Sequence, residues 1–329
     1  MKFSILVPIY NVGDYLNEML SSIDAQDFTD YELVLVDDGS TDECPEICDR
    51  YCETHSFARV IHKPNGGLIS ARRAGIAEAQ GEYVLFVDAD DCLKPDALES
   101  INDVIEKNGS DVVIYNADIY DGTSRQVFFE HELPEGPVAD KRVIYDKLFL
   151  SYSMNSMCLK TMKRTLLDAD RDYTGFYDCA VAEDLLQSVP VYIAARNIYY
   201  LDKPLYDYRV TTGMTHKCNP MYYWSNRKIN LDIRERLKNE GIEDLDKKAA
   251  FHILIAAYAG TTQMKYADTF DSAQLEKIRS DSEFKSAWDK VWDSSYSAYF
   301  SKKQKLILKM LHDGNYSLIK LLLKIRGGK

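Results

Sequence analysis

The first third of the chain alternates short apolar runs with amphipathic stretches. Five runs are rich in β-branched residues and mostly continuous in hydrophobicity, which is typical of strands covered on both faces. These runs are Phe3–Pro8, Glu32–Val36, Arg59–His62, Tyr83–Val87 and Asp111–Tyr115. The segments between them carry apolar residues at helical spacing, for example Leu16, Met19, Leu20 and Ile23. Strands that alternate with helices predict an α/β fold with a doubly wound, mostly parallel sheet.

The pattern is less regular beyond residue 115. It predicts a hairpin or excursion over residues 121–145, a helix with a basic end over 143–168, a helix over 182–195, and short strands at Ile198–Leu201 and Leu205–Arg209. Helical periodicity dominates from residue 219 onward. We therefore predict two domains, residues 1–217 and a helical C-terminal region over residues 218–329.

Polar residues gather directly after the first four predicted strands. They are Tyr10 and Asn11, then Asp37 to Ser40, then Asn65 to Gly67, and finally Asp88 to Asp91. Ligands of parallel α/β sheets bind at the carboxyl ends of the strands. The sequence therefore predicts a binding site at this edge of the sheet.

The chemistry at these strand ends is dominated by carboxylates. Neither a Gly-x-Gly-x-x-Gly fingerprint nor a Gly-Lys-Ser/Thr phosphate loop is present. Clustered acids repel one another unless a cation neutralises them, and oxygen-only ligands suit Mg²⁺ or Mn²⁺. Such an ion, held by two carboxylates and a diphosphate, would make the diphosphate a better leaving group.

Composition excludes some partners. The net charge of −12 argues against nucleic acid, because phosphate binding needs a basic surface. No apolar run approaches the ~18 residues that span a bilayer, and no charged leader precedes the first predicted strand. The seven cysteines form no disulfide-framework pattern, which suits a reducing compartment. We expect a cytoplasmic protein.

Four motifs in one order carry a specific resemblance. They are Ser4-Ile5-Leu6-Val7-Pro8-Ile9-Tyr10-Asn11, Leu35-Val36-Asp37-Asp38-Gly39-Ser40-Thr41-Asp42, Asn65-Gly66-Gly67 with Ala71-Arg72, and Phe86-Val87-Asp88-Ala89-Asp90-Asp91. In this order and spacing the chain resembles the family 2 glycosyltransferases. The resemblance implies a glycosyltransferase A-type fold, with a nucleotide-binding half over residues 1–115 and an acceptor half over 116–217. It also implies an inverting hexosyl- or N-acetylhexosaminyltransferase that uses a UDP-sugar, Mn²⁺ or Mg²⁺, and a hydroxyl of a glycan, lipid-linked or polymer acceptor.

The same resemblance assigns roles to individual residues. The expected nucleotide-sugar contacts are Pro8, Tyr10, Asn11, Asp38, Asn65, Gly67, Arg72, Asp88 and Arg209. Among them, Asp38 would accept a hydrogen bond from the ring N–H of uracil. Asp90 would ligate the metal, with Asp88 shared between ribose and metal. His216 is a candidate third metal ligand or diphosphate contact.

A second motif lies downstream, at Ala182-Glu183-Asp184. It resembles the Glu-Asp motif of the family, whose aspartate is the general base that takes the acceptor's proton. The simpler interpretation is a helix whose first turn favours acids. The family usually has glycine where this chain has Ala182. Lys160 lies where the family often shows Trp-Asn-Lys in the acceptor region, but the tryptophan is missing.

The C-terminal segment 301–329 is basic and amphipathic. It carries eight Lys or Arg residues against one acid, Asp313. Two interpretations are open: a helix pair that binds an anionic membrane surface, which would make the protein peripheral on the inner face of the membrane, or a helical lid whose lysines face water.

Two other classes remain as alternatives. A haloacid-dehalogenase-type phosphatase also has a strand that ends in Asp-x-Asp, but it needs the motif on its first strand, and here the motif follows the fourth. A catalytically inactive nucleotide-sugar-binding scaffold would keep the same motifs.

Overall fold

The computed structural model describes residues 1–121, 124–129, 133–151, 153–168, 171–179, 181–210, 218–267 and 270–326. The chain divides into two compact units. Unit 1 comprises Met1–Lys141, Ser153–Asp178 and Glu183–Thr211, and unit 2 comprises Arg142–Tyr152, Cys179–Ala182 and Thr212–Lys329. The domain boundary after residue 217 stays a prediction.

Unit 1 is built on one mixed sheet. Its strands in the described part of the chain are β1 Phe3–Ile9, β2 Tyr31–Asp37, β3 Ala58–His62, β4 Tyr83–Phe86, β5 Cys92–Leu93, β6 Val112–Tyr120, β7 Arg125–Phe129, β8 Gly136–Pro137, β9 Lys160–Lys163 and β10 Ile198–Arg209. The spatial order is β3-β2-β1-β4-β9-β6-β10-β5, with β7 paired to β6 and β8 to β10. The five strands predicted in the first third are confirmed.

The first four strands determine where the site lies. β1 pairs in parallel with both β2 and β4, and β2 pairs in parallel with β3. Ile5, Leu35 and Leu85 on these strands are 0% exposed, so burial of their apolar side chains holds the sheet between its helical layers. Because the strands are parallel neighbours, their carboxyl ends lie along one edge of the sheet.

Helices follow these strands as the periodicity predicted. Unit 1 contains α1 Gly13–Asp24, α2 Cys44–Thr54, α3 Gly67–Glu78, α4 Ala97–Asn108 and α6 Glu183–Ala194. Helix α1 buries Leu16, Met19, Leu20 and Ile23. Helix α4 ends at Asn108 and is capped by Gly109, whose φ of 61° lies in the left-handed region that glycine adopts without strain.

Two predictions for the chain beyond residue 115 differ from the structure. The short strands expected at Ile198–Leu201 and Leu205–Arg209 form the single strand β10, with an irregular register near Pro204. The helix expected over residues 143–168 ends at Leu150, and Lys160–Lys163 forms strand β9 instead. This strand inserts between β4 and β6 and runs antiparallel to both. Its four residues satisfy backbone groups on two neighbours at once, and this tertiary pairing outweighs their weak strand propensity.

Unit 2 is helical. Its helices in the described residues are α5 Arg142–Leu150, α7 Tyr222–Leu237, α8 Leu245–Gln263, α9 Ser272–Ser280, α10 Ser282–Val291, α11 Lys302–His312 and α12 Tyr316–Arg326. They bury a shared apolar core that includes Leu254, Ile278, Phe284, Val291 and Leu308. Within the part of the chain that the structure describes, no helix is both long and apolar enough to cross a membrane.

Candidate functional site

The loops after β1 and β2 are joined by the side chain of Asn11. Its Oδ1 accepts a hydrogen bond from the backbone N–H of Thr41 at 2.8 Å, and the backbone N–H of Asn11 donates to Ser40 Oγ at 3.1 Å. Asn11 has a φ of 52°, a left-handed conformation that asparagine tolerates better than most residues. Tyr10 is 51% exposed beside this junction, so its ring is available to a ligand.

Asp38 joins the loops after β2 and β3. It is 3% exposed, and its carboxylate accepts hydrogen bonds from the backbone N–H groups of Gly66 at 3.0 Å and Gly67 at 2.8 Å. The ammonium of Lys63 also binds Asp38 Oδ1. A carboxylate has about four acceptor positions, and these three donors occupy most of them. The uracil contact of Asp38 stays a prediction.

The backbone at Gly67 explains why glycine occupies this position. Its φ is 82°, and a Cβ there would lie 3.2 Å from the carbonyl oxygen of Tyr177. A side chain would therefore be strained and crowded. The glycine lets its N–H reach Asp38 while helix α3 begins at the same residue. Asn65, two residues earlier, is exposed at the rim.

Arg72 connects the two acidic motifs. It lies on α3, is 2% exposed, and binds Asp184 Oδ1 through Nη1. Its Nη2 lies 3.6 Å from Asp88 Oδ1, and its guanidinium carbon lies 5.5 Å from the centre of the Phe86 ring. One buried cation thus links a carboxylate after β4 to a carboxylate in the first turn of α6.

The pKa values of all three carboxylates in the acidic turn after β4 are raised. About a third of the Asp88 side chain is exposed, but the surrounding protein desolvates it, and this burial raises its pKa despite the opposing charge of Arg72. Burial, and then the charge of Asp88, raise the pKa of Asp90. Burial raises the pKa of Asp91 to about 8, with the charge of Asp88 as the next cause. A bound cation would relieve this repulsion.

The donor set fits Mn²⁺ or Mg²⁺. These ions are typically held by one or two carboxylates together with waters and substrate phosphates. In the described ranges, no three His, Cys, Asp or Glu side chains form a group that could hold a metal by themselves. Asp88 and Asp90 would thus supply the protein ligands, with the remaining positions left to phosphate and water. His216 lies outside the described residues.

Arg209, the last residue of β10, contacts the acidic turn that follows β4. Its Nε donates to the carbonyl oxygen of Asp90 at 2.8 Å, and its Nη2 lies 2.6 Å from Glu18 Oε2. The guanidinium also lies over the ring of Tyr120, 4.9 Å from its centre. These contacts hold Arg209 beside Asp90. Its contact with the donor diphosphate stays a prediction.

The segment before Asp184 is strained. Ala182 has a φ of 63°, in the left-handed region where a side chain costs about 1–2 kcal/mol. This is the position at which the family usually has glycine, and glycine would carry no such cost. The sequence assigned no role to Glu183, whose buried Oε2 has no hydrogen-bond partner among the residues that the structure describes. Burial raises the pKa of Glu183 to about 7, followed by the charge of Asp184.

Lys160 is a structural residue rather than an exposed acceptor contact. It is 1% exposed, and its Nζ donates to Ser188 Oγ at 2.8 Å and to the carbonyl oxygen of Met154 at 3.2 Å. Burial lowers its pKa to about 7. Ser188 lies one turn after Asp184 on α6, so Lys160 ties the Met154 loop to the helix that carries Asp184.

Comparison with known proteins assigns the class. The profile of the family described as "Glycosyl transferase family 2" matches residues 4–170, about half of the chain. The chain therefore belongs to the family 2 glycosyltransferases, as its motifs indicated. This assignment, and the position of Asp88 after the fourth strand, exclude the haloacid-dehalogenase alternative.

Several relatives each match somewhat less than two thirds of the chain. The glycosyltransferase GlyA of Streptococcus pneumoniae is 33% identical over 220 residues, 64% of this chain and 31% of GlyA. GlyG of the same organism is 33% identical over 219 residues, 64% of this chain and 71% of GlyG. The poly(ribitol-phosphate) β-N-acetylglucosaminyltransferase TarS of Staphylococcus aureus is 32% identical over 212 residues, 63% of this chain and 35% of TarS. The chain thus spans about a third of GlyA and of TarS.

Solved structures confirm the fold. TarS residues 1–349 superpose with a TM-score of 0.68 at 24% identity, covering 100% of this chain and 92% of that one. The same protein in complex with UDP-GlcNAc gives 0.61 at 23% identity, covering 98% and 91%. A Pyrobaculum calidifontis mannosyltransferase with GDP-Man and Mn²⁺ gives 0.51 at 16% identity, covering 100% and 88%. The predicted glycosyltransferase A-type α/β fold with a helical C-terminal extension is confirmed.

Proposed function

We propose that the chain is an inverting, metal-dependent glycosyltransferase that moves a sugar from a UDP-sugar to a hydroxyl of a glycan, lipid-linked or polymer acceptor. The observation that carries the proposal is the contact of Arg72 with both Asp184 and Asp88. It brings a candidate proton acceptor next to a candidate donor-binding carboxylate. The UDP and UDP-GlcNAc complexes of TarS support the choice of UDP and of an N-acetylhexosaminyl donor.

In the proposed reaction, Asp184 accepts the proton of the acceptor hydroxyl. The acceptor oxygen attacks the anomeric carbon from the face opposite the diphosphate, and the bond between that carbon and the diphosphate oxygen breaks. UDP leaves with the bonding electron pair. Arg72 orients Asp184 through its hydrogen bond. About a third of the Asp184 side chain is exposed, so its carboxylate remains accessible to an acceptor.

Asp90 and Asp88 would hold Mn²⁺ or Mg²⁺ next to the diphosphate. When bound, such an ion neutralises charge that develops on the leaving diphosphate. The Mn²⁺ complexes of the Pyrobaculum mannosyltransferase and of GalNAc-T7 support a divalent ion. Arg209 supports Asp90 through the carbonyl oxygen of that residue.

A panel of nucleotide sugars with Mn²⁺ and mixed cell-wall glycans tests the proposal. UDP release from one UDP-sugar is expected, and Asp90→Asn should lower it at least about a hundredfold because the ion contributes several kcal/mol. The matched control is Asp103→Asn, an exposed carboxylate on α4. Binding of a UDP-sugar without any release would instead favour an inactive scaffold, and undiminished release by Asp90→Asn would remove Asp90 from the site.

The C-terminal helices support a further proposal, that this unit binds an anionic membrane surface. Helices α11 and α12 bury one face in the unit 2 core but leave Leu306, Leu318 and Leu321 exposed at 47%, 49% and 57%. Exposed lysines flank them at positions 302, 309, 320 and 324. Leucines insert into the interface, and each lysine near an anionic surface contributes about 1 kcal/mol.

Sedimentation with liposomes measures this binding. The chain is expected to pellet with phosphatidylglycerol vesicles, less so at high salt, and not with phosphatidylcholine vesicles. Changing Leu306, Leu318 and Leu321 together to serine should abolish pelleting. The control Met221→Ser, an exposed apolar residue elsewhere in unit 2, should not. If the wild type does not pellet with phosphatidylglycerol vesicles, the lysines only face water and the lid interpretation stands. Pelleting of the triple variant at the wild-type level would show that the three leucines do not insert.

A further inference from the structure

Asp91 is buried although it follows two candidate ligand-binding aspartates. It is 2% exposed, so its carboxylate has almost no surface for a donor or a metal. Its Oδ2 accepts a hydrogen bond from the Tyr206 hydroxyl at 2.7 Å, and its Oδ1 accepts from the backbone N–H of Arg209 at 2.7 Å. Both partners lie on β10. Asp91 therefore joins the acidic turn to a neighbouring strand.

The Tyr206 hydroxyl also binds the backbone of Asp88. It donates to Asp91 and at the same time accepts the backbone N–H of Asp88 at 3.0 Å. The N–H of Asp91 in turn donates to the carbonyl oxygen of Asp88 at 3.0 Å, which closes the turn. The backbone on either side of Asp90 is thus held by groups that are themselves buried.

The network is closed and almost free of solvent. Tyr206 is 1% exposed, and its phenol uses both its donor and its acceptor capacity. A fully satisfied buried network specifies one arrangement, because every alternative leaves a polar group unpaired. Since the carboxylates of Asp88 and Asp90 project from this turn, their direction depends on the network.

We infer that Asp91 is a positioning residue that acts through Tyr206 to aim the Asp88 and Asp90 carboxylates at the divalent ion that would bind the donor diphosphate. It contributes by holding the backbone and makes no contact with the donor. The inference rests on the proposed UDP and metal site.

A pair of tyrosine variants tests the inference. Tyr206→Phe removes the hydroxyl from the turn, whereas Tyr200→Phe removes a hydroxyl from an equally buried tyrosine on β10 that instead bonds to Asn116. UDP is titrated by calorimetry in the presence of MnCl₂, and thermal unfolding of each variant is recorded. Tyr206→Phe should weaken UDP binding roughly tenfold, the equivalent of one lost buried hydrogen bond. Tyr200→Phe should lower stability comparably and leave UDP binding unchanged.

Asp91→Asn should weaken UDP binding more than Tyr206→Phe does. Its amide turns one acceptor oxygen into a donor that faces either the Tyr206 hydroxyl or the Arg209 N–H. If Asp91→Asn does not fold, the tyrosine pair decides. Equal UDP affinity of Tyr206→Phe and Tyr200→Phe overturns the inference. Absence of UDP binding by the wild type would instead overturn the proposed function.

Discussion

Replacing Asp184 by asparagine is expected to lower kcat about a thousandfold, the scale of a lost general base. The amide keeps an oxygen that can accept the hydrogen bond from Arg72, but it cannot take the acceptor's proton. The affinity for UDP should therefore change little. UDP release with the active donor gives kcat, and calorimetry with UDP and Mn²⁺ gives binding.

Asp172→Asn is the matched control for this experiment. Asp172 is a carboxylate in unit 1 that accepts hydrogen bonds from the backbone N–H and the hydroxyl of Thr174. Its replacement should leave kcat within a factor of about two, as expected for a residue that takes no part in the chemistry. If Asp184→Asn keeps wild-type kcat, the Glu-Asp motif is only a favourable first helical turn.

Arg72→Met is expected to destabilise unit 1 by about 3 kcal/mol. The substitution leaves Asp88 and Asp184 without their shared cation, and breaking a buried pair by removing one partner typically costs about 3–5 kcal/mol. The lower end applies because both carboxylates are about a third exposed. Urea unfolding, followed by far-ultraviolet circular dichroism, measures the change in the free energy of unfolding.

The neighbouring arginine provides the control. Arg73 lies over the Tyr173 ring and donates to the carbonyl oxygen of Asp168. Arg73→Met should cost about 1 kcal/mol, the scale of a cation–π contact and a hydrogen bond to a carbonyl oxygen. Arg72→Lys should recover only part of the loss, since one ammonium cannot reproduce the two-sided contact of a planar guanidinium. Equal stability of Arg72→Met and Arg73→Met would contradict the role of Arg72.

The strand ends were predictable from the sequence. Each of the first four strands is a short apolar run, and the polar residues that follow it mark where it ends. Parallel pairing then puts Asn11, Asp38 and Asp88 at one edge of the sheet. The site residues predicted there are local to their strands, and this is why a linear pattern could find them.

Strand β9 was not predictable in the same way. Its sequence, Lys160-Thr161-Met162-Lys163, is basic and lacks the apolar run of a buried strand. Three of its side chains are nevertheless buried, and Lys160 finds its acceptors at Ser188 and Met154. Only the gap between β4 and β6 makes this segment a strand, because strand preference depends on the neighbours that pair with it.

By itself, the sequence determined the family, the alternation of strands and helices, and the acidic residues at the strand ends. These features depend on periodicity and on motifs a few residues long. The tertiary structure alone decided which groups form hydrogen bonds and ion pairs with those acids. Arg72 reaches Asp184 across 112 residues of sequence, and Tyr206 reaches Asp91 across 115. A buried carboxylate needs a partner, but its chemistry does not specify which one, and only the packing of α3, α6 and β10 brings these partners within hydrogen-bonding distance.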